Sequence, residues 1–221
     1  MQKNTTRYIV SLGLLGLALA WPSVSHAYYL GPCNTTLPPL DGAYVSPDAW
    51  HAAYALGIYI TDARHSTFTA SYPPPTGGGT DAHTFGSRVD GRVSFDFGTT
   101  WTDFWATGPT TVRIHDAGGG IYSTEMVALD LSGGSLPLGV LIRESPTRAS
   151  TGITTYTPQQ VGCRIDSYFD IYTELSLDGG QTWYPDQDGS VHMNLVPEPS
   201  SFMLTGLGLL GLLTYVRRCR K

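Results

Sequence analysis

The side chains that could carry out chemistry are spread along the chain rather than grouped. Asp62 and His65 place an acid close to a base, but a lone histidine in such a position is more often a packing or surface group. In residues 186–190, carboxylate side chains alternate with another residue and are followed by a glycine, as in calcium-binding loops. These residues lack the later bidentate glutamate of an EF-hand, so we interpret them as a solvated turn.

Other catalytic signatures are missing from the sequence. It contains neither a G-x-S-x-G elbow nor a glycine loop that would cradle phosphate. The histidines after residue 27 lack the close spacing of a zinc site; they are His51, His65, His83, His115 and His192. We therefore predict no catalytic residue, no cofactor and no metal site, and we expect the protein not to be an enzyme.

One pattern of five fixed positions, S-x-D-x-G-x-T-W, occurs twice, at residues 94–101 and 176–183. In such a turn the aspartate accepts backbone N–H groups, the glycine permits a positive φ, and the tryptophan covers the turn. The pattern resembles the Asp-box, a hairpin turn of sialidases and other secreted β proteins that usually lies away from the active site. Its residues here are Ser94, Asp96, Gly98, Thr100, Trp101, Ser176, Asp178, Gly180, Thr182 and Trp183. A sialidase propeller needs more blades than this length supplies, so we expect turns that only stabilise hairpins.

The elements that must position these residues are mostly strands. Apolar residues alternate with others over 127–131 and 138–142, and residues 168–177 are aromatic and β-branched. Glycine and proline punctuation between such segments predicts an all-β, β-sandwich-like domain. One short helix is predicted at 47–56, with Ser46 as N-cap and Gly57 as its stop.

Both ends of the chain are typical of targeting segments. Residues 1–27 have a basic start, an apolar core and a small-residue exit, which predicts a signal helix and cleavage after Ala27. Residues 202–216 are apolar and precede a basic cluster, so we predict a single transmembrane helix. Fifteen residues are fewer than the roughly 20 that span a bilayer. The positive-inside rule keeps both basic ends cytoplasmic, and the region between them must then be exported.

The exported region, predicted as residues 28–195 with a proline- and glycine-rich loop at 73–79, is acidic. Seven arginines, no lysine and 17 acidic residues give it a formal net charge of −10. That charge excludes nucleic acid as a partner. Cys33 and Cys163 are the two cysteines of this region, and export to an oxidising compartment favours a disulfide between them. Two separate thiols are the alternative, because the sequence does not show whether they approach.

The last 26 residues, 196–221, combine three parts in order: a Pro-Glu-Pro segment, the apolar run and the basic cluster. Together they resemble the PEP-CTERM sorting signal of Gram-negative bacteria. The residues that carry the motif are Val196, Pro197, Glu198, Pro199, Arg217 and Arg218. The resemblance implies processing by the membrane protein exosortase, after signal peptidase and the export machinery have acted. It further implies an anchor in the inner membrane, then a cell-surface or matrix location and association with exopolysaccharide.

Three functions are compatible with this sequence. We predict first a non-enzymatic surface or matrix protein. The second is a glycan-binding module, in which Trp105, Tyr156 or Tyr184 would line a groove. The third is a polysaccharide hydrolase, which would need two carboxylates facing each other about 5 to 10 Å apart.

Overall fold

The computed structural model describes residues 28–46 and 51–198. The strands are β1 Tyr29–Gly31, β2 Gly42–Val45, β3 His51–Tyr54, β4 Ile58–Ser66, β5 Thr80–Ser94, β6 Thr102–Gly118, β7 Ile121–Leu131, β8 Leu141–Glu144, β9 Ser150–Pro158, β10 Cys163–Ile171, β11 Thr173–Ser176, β12 Tyr184–Pro185 and β13 Val191–Pro197. One 3-10 turn spans Ala55–Gly57. Within these residues, no helix is both long enough and apolar enough to cross a membrane.

Eight of the strands close into an antiparallel barrel in the order β10-β13-β2-β4-β5-β6-β7-β9, after which β9 returns to β10. The predicted β-sandwich is therefore wrong. Alternation of apolar and polar residues is the same in both architectures, because each has one buried face. Closure depends on β9, which pairs with β7 on one side and β10 on the other. Register shifts in β4 and β6 add the local bending that a closed sheet needs.

A smaller side sheet branches from the barrel at the end of β7. Asp130 and Leu131 pair with β8, which pairs with β11, and β11 pairs with β12. One edge of β7 thus serves two sheets, because β9 occupies its first half and β8 its end. β10 is divided in the same way, because β1 and β13 pair with different parts of one of its edges.

The barrel interior is a filled apolar core. Alternate residues of β10 point inward, and Ile165 and Met126 are among the largest side chains that are fully buried. Two cavities in the core have volumes of about 30 and about 50 Å³, and His65 lines both of them. Each of these two cavities has room for one or a few water molecules.

The helix predicted at 47–56 is wrong over the residues that the structure describes. His51–Tyr54 forms β3, which pairs with β4, and residues 47–50 lie outside the described part of the chain. Ala52 and Tyr54 are buried, and the Tyr54 hydroxyl lies 2.7 Å from Thr173 Oγ1. Leu56 has a φ of 68°, so the chain turns into β4 at the point where a helix would continue.

Other predicted segments have different outcomes. The loop at 73–79 connects β4 and β5, which pair directly with each other, so both of its ends belong to one barrel. The predicted signal helix at 1–27, with its cleavage position Ala27, lies outside the described residues. So does the predicted transmembrane helix at 202–216.

Candidate functional site

The predicted sorting motif begins inside the last barrel strand. Pro197 lies opposite Gly42 of β2, and Glu198 donates its backbone N–H to the carbonyl oxygen of Asp41 at 2.8 Å. Two residues before Pro197, the side chain of Leu195 packs in the barrel core and is only 3% exposed. The start of the motif is therefore part of the folded domain rather than of a separate tail.

An ion pair joins the motif's glutamate to the barrel. Arg64 Nη2 lies 3.2 Å from Glu198 Oε1, and each side chain is about one-third exposed. Arg64 stands on β4 opposite Val45 of β2, so its side chain reaches across β2 to Glu198. The group of residues around this contact is called the motif rim below: Asp41, Gly42, Arg64, Pro197 and Glu198.

The motif rim also holds a buried phenol. The Tyr29 hydroxyl donates to Asp41 Oδ1, and burial together with that carboxylate raises the pKa of Tyr29. This bond fixes Asp41, whose carbonyl oxygen holds Glu198. The remaining motif residues, Pro199, Arg217 and Arg218, lie outside the described part of the chain.

Turn 94–101 connects β5 to β6 and is built on its serine and aspartate. Ser94 Oγ donates to Asp96 Oδ1 at 2.8 Å and accepts the N–H of Gly98 at 2.9 Å. Asp96 then accepts the backbone N–H and the hydroxyl of Thr100. Gly98 has a φ of 77°, which this turn requires. The first turn of the predicted pair is thus a closed network of short-range hydrogen bonds.

Turn 176–183 repeats that network between β11 and β12. Ser176 Oγ donates to Asp178 Oδ1 at 2.8 Å and accepts the N–H of Gly180 at 2.9 Å. Asp178 Oδ1 also accepts the N–H of Thr182 at 2.8 Å. Gly180 has a φ of 91°. Four of the five positions named by the sequence pattern therefore have the same role in both turns.

The turn carboxylates are held in their ionised form. The N–H of Thr182 is the main cause that lowers the pKa of Asp178 to about 2, and the N–H of Thr100 lowers the pKa of Asp96. Both oxygens of Asp96 accept hydrogen bonds within its turn, and Oδ1 of Asp178 accepts three. The two carboxylates thus bind backbone and hydroxyl groups of their own turns.

Each turn tryptophan packs beneath an arginine, but the spacing differs. The Arg143 guanidinium lies 3.9 Å from the ring centre of Trp183, whereas Arg92 lies 5.7 Å from that of Trp101. Trp183 also donates its indole N–H to the carbonyl oxygen of Gly180 at 3.0 Å. The second turn is thus more tightly covered than the first.

Cys33 and Cys163 form a disulfide. Cys33 follows β1, and Cys163 is the first residue of β10, where its side chain is buried. The bridge fastens the first strand of the described domain to the barrel. The third cysteine, Cys219, lies outside the described residues.

The side sheet contains buried carboxylates that the sequence analysis missed. Glu144 and Glu174 are 8% and 7% exposed. Glu174 accepts two hydrogen bonds from Arg143 and one from Ser145, while Glu144 accepts one from Ser150. Burial is the main cause that raises the pKa of Glu144 to about 7. The burial of these carboxylates could not be predicted from the sequence, because charged residues are normally exposed.

A polar depression of about 240 Å³ opens beside Glu144. Its wall includes Glu125 and Arg148, and both already have partners. Glu125 pairs with Arg113, while Arg148 donates to the carbonyl oxygen of Asp186 at 3.3 Å. The depression therefore presents charged groups that are engaged with the protein itself.

Asp186, from the segment 186–190, is almost fully buried. Its Oδ1 accepts the backbone N–H groups of Ala53 and Asp188, each at 3.0 Å. Burial raises the pKa of Asp186 to about 6. The carboxylate joins β12 to β3, which is a structural role, and not the solvated turn that we predicted. Among the described residues, no group of three potential ligands could hold a metal ion.

The structure separates the acid and base of the Asp62 and His65 pair. Asp62 is exposed and pairs with Arg92, while His65 is buried in the barrel interior, where burial lowers its pKa to about 4. His83 stacks on Tyr72. His115 bonds Thr80 and His192 bonds Asp170. The side chain of His51 lies outside the described part.

The three aromatic residues considered for a glycan groove do not share one surface. Tyr156 is 8% exposed, and its hydroxyl donates to the carbonyl oxygen of Thr35. Tyr184 packs against the core from the side sheet. Trp105 is exposed on the barrel wall, 38% accessible, with the Arg88 guanidinium 4.6 Å from its ring centre.

Comparison with known proteins identifies one part of the chain. Residues 195–221 match the family model of the PEP-CTERM protein-sorting motif. The match confirms the sorting signal predicted at 196–221 and supports exosortase-dependent sorting of an exported, membrane-associated surface protein. No curated protein and no solved structure matches the chain. The match starts at Leu195, so its first three residues are also the last three residues of β13.

Proposed function

We propose that this chain is a non-enzymatic surface or matrix protein whose β domain exosortase delivers through the C-terminal motif. The observation that carries the proposal is the sorting-motif match at residues 195–221. Several acidic side chains of the domain support it, because they bind groups of the protein itself. Asp96 and Asp178 bind backbone groups of their own turns, and Glu174 binds Arg143.

The test changes the motif without changing the anchor. Replacing Pro197, Glu198 and Pro199 with alanine in the full chain leaves the apolar run and the basic cluster in place. We expect membrane insertion to persist while processing and surface delivery are lost. The measurement is cell fractionation with size analysis, in a host with an exosortase and in the same host without it.

A matched control removes the other part of the signal. Changing Arg217 and Arg218 to alanine alters retention or orientation, because the basic cluster resists crossing the membrane. A mature form of the same size and location in both hosts would show that the tail only anchors the protein. Reporter fusions add a second readout: we expect a reporter after Glu198 to be periplasmic and one after Lys221 to be cytoplasmic.

A second candidate function is binding of exopolysaccharide through the barrel wall. Trp105 favours it, because this tryptophan is 38% exposed beside charged groups and carries Arg88 over its ring, and an aromatic surface of this kind is a suitable platform for a sugar. Arg88 pairs with Asp90, and Asp90 lies opposite Trp105 in the β5–β6 ladder. The test is retention of purified protein on matrix polymer, comparing Trp105→Ala with Phe97→Ala as a matched exposed aromatic. Equal retention of both variants and the wild type would exclude this surface.

A further inference from the structure

The sorting motif and the folded domain share residues. The family match begins at Leu195, and the barrel strand β13 ends at Pro197. A processing enzyme that binds an extended segment uses the segment's main-chain N–H and C=O groups. In this chain, Glu198 has already given its N–H to Asp41, and Pro197 is paired in the β2–β13 ladder. The closed barrel and a bound enzyme therefore compete for the same groups.

The distance to the membrane sharpens this competition. Only three residues, 199–201, separate Glu198 from the apolar run that begins at Phe202. A fully extended chain advances at most about 3.6 Å per residue, so Glu198 lies within about 15 Å of that run. A membrane enzyme thus has little room between the barrel and the bilayer. It gains room only if the end of β13 leaves β2.

The contacts indicate where such an opening stops. Leu195 is buried in the core opposite Tyr44, and its removal would expose the barrel interior. Beyond it, Val196 and Pro197 are partly or fully exposed, and Glu198 is held by one backbone hydrogen bond and one ion pair. Strand ends held by few buried contacts open with low free energy. Residues 196–198 can therefore detach while Leu195 stays in place.

We propose that residues 196–198 act as a latch: the barrel closes over the start of the sorting motif through Arg64 and Asp41, and exosortase binds only the opened form. This inference rests on the proposed sorting function. Arg64 is then a positioning residue that controls how much of the motif is accessible. The motif glutamate has two roles, since it binds the enzyme when the latch is open and Arg64 when it is closed.

The first experiment loosens the latch in the full-chain precursor. Arg64→Ala removes the ion pair, and we expect processing by exosortase-containing membranes to accelerate about two- to fivefold, the range that a partly exposed ion pair allows. Arg64→Lys keeps the charge and restores a rate near that of the wild type. Arg113→Ala is the matched control, because it breaks the exposed pair with Glu125 away from the motif rim. Slower processing of Arg64→Ala would overturn the latch and show that the enzyme needs this arginine.

The second experiment locks the latch. Val196 lies opposite Ala43 in the ladder, so a cysteine at each position can cross-link β13 to β2. The oxidised Ala43→Cys, Val196→Cys precursor is expected not to be processed, whereas each single variant is processed at the wild-type rate. Thermal unfolding verifies that the double variant is folded. Processing of the locked precursor at the wild-type rate would overturn the latch.

The two proposals fail in different ways. If the wild-type precursor is not processed by exosortase-containing membranes at all, the proposed sorting function fails and the latch fails with it. If the wild type is processed and the locked form is processed equally well, the sorting function stands and only the latch is excluded.

Discussion

Turn 94–101 closes the β5–β6 hairpin at one end of the barrel, whereas turn 176–183 connects two short strands of the side sheet. Their internal hydrogen bonds agree to within about a tenth of an ångström at the serine and glycine positions. The contacts of the two turns with the rest of the protein differ. Phe97 of the first turn bonds the 3-10 turn through Gly57, while Gly179 of the second bonds Gly139. Eight residues thus specify the turn but not its neighbours.

The neighbours decide how much each turn contributes to the fold. The arginine over Trp183 is tied to a buried glutamate, because Arg143 binds Glu174. The arginine over Trp101 is Arg92, which is 46% exposed and has only distant carboxylate partners at 3.7 Å. The second turn is therefore coupled to the core through its tryptophan and arginine, and the first is not.

The largest expected effect tests this coupling. Arg143→Ala leaves Glu174 buried without its cation and uncovers Trp183, so we expect the free energy of unfolding to fall by about 3 kcal/mol. Arg92→Ala at the first turn is the matched control, with an expected loss of about 0.5 kcal/mol. Urea unfolding of the disulfide-bonded domain measures both. Equal losses would show that the two turns are coupled to the core to the same extent.

The next effect should be nearly the same in both turns. Asp96→Ala and Asp178→Ala each remove the acceptor of a threonine N–H, and we expect either change to lower the thermal midpoint by a few degrees. The asparagine variants retain one acceptor oxygen and are expected to lose less. Unchanged midpoints for the alanine variants would mean that these aspartates do not stabilise the turns.

The smallest effect is a difference in pH dependence between a turn and the side sheet. The pKa of Asp178 is lowered to about 2, so its stabilising contribution is present above pH 4 and is lost as the pH falls towards 2. The pKa of Glu144 is raised to about 7, so its contribution to stability has the opposite pH dependence. Its contribution is complete below about pH 4.5 and is lost as the pH rises through 7.

Two substitutions separate these contributions. Glu144→Gln is expected to remove the decline in stability between pH 5 and 8, and Asp178→Asn to weaken the decline below pH 4. Thermal midpoints measured across this range, against the wild type, give the comparison. A Glu144→Gln profile that still falls between pH 5 and 8 would assign that decline to another group, such as Asp186.

Local patterns in the sequence were sufficient for some elements. Alternation at 127–131 and the β-branched run at 168–177 predicted strands that the structure contains as β7, β10 and β11. The helix predicted at 47–56 was wrong, because the helix signals are local in the sequence, whereas the strand β3 is formed by its pairing with β4. Barrel closure could not be predicted from sequence patterns for the same reason, because it depends on which strands pair with β9.

The candidate site was likewise predictable only where its residues are contiguous in the chain. The order of the Pro-Glu-Pro segment, the apolar run and the basic cluster predicted the sorting motif, because these parts are contiguous in the chain. The contact between Arg64 and Glu198 could not be predicted, because it joins distant strands across β2. The burial of Glu144 and Glu174 depends likewise on the pairing of β8 with β11, which are distant in the sequence.

The closed ring has a consequence for how copies of the domain behave at close range. Each of the eight barrel strands pairs with a neighbour on both sides over part of its length, and the described strands that pair with one neighbour only are short, with two residues in β12, three in β1 and four in β3. Pro185 further blunts β12, because proline has no N–H to donate. Short, interrupted edges resist pairing between molecules. β1, β3 and β12 therefore offer crowded copies little edge for pairing between molecules.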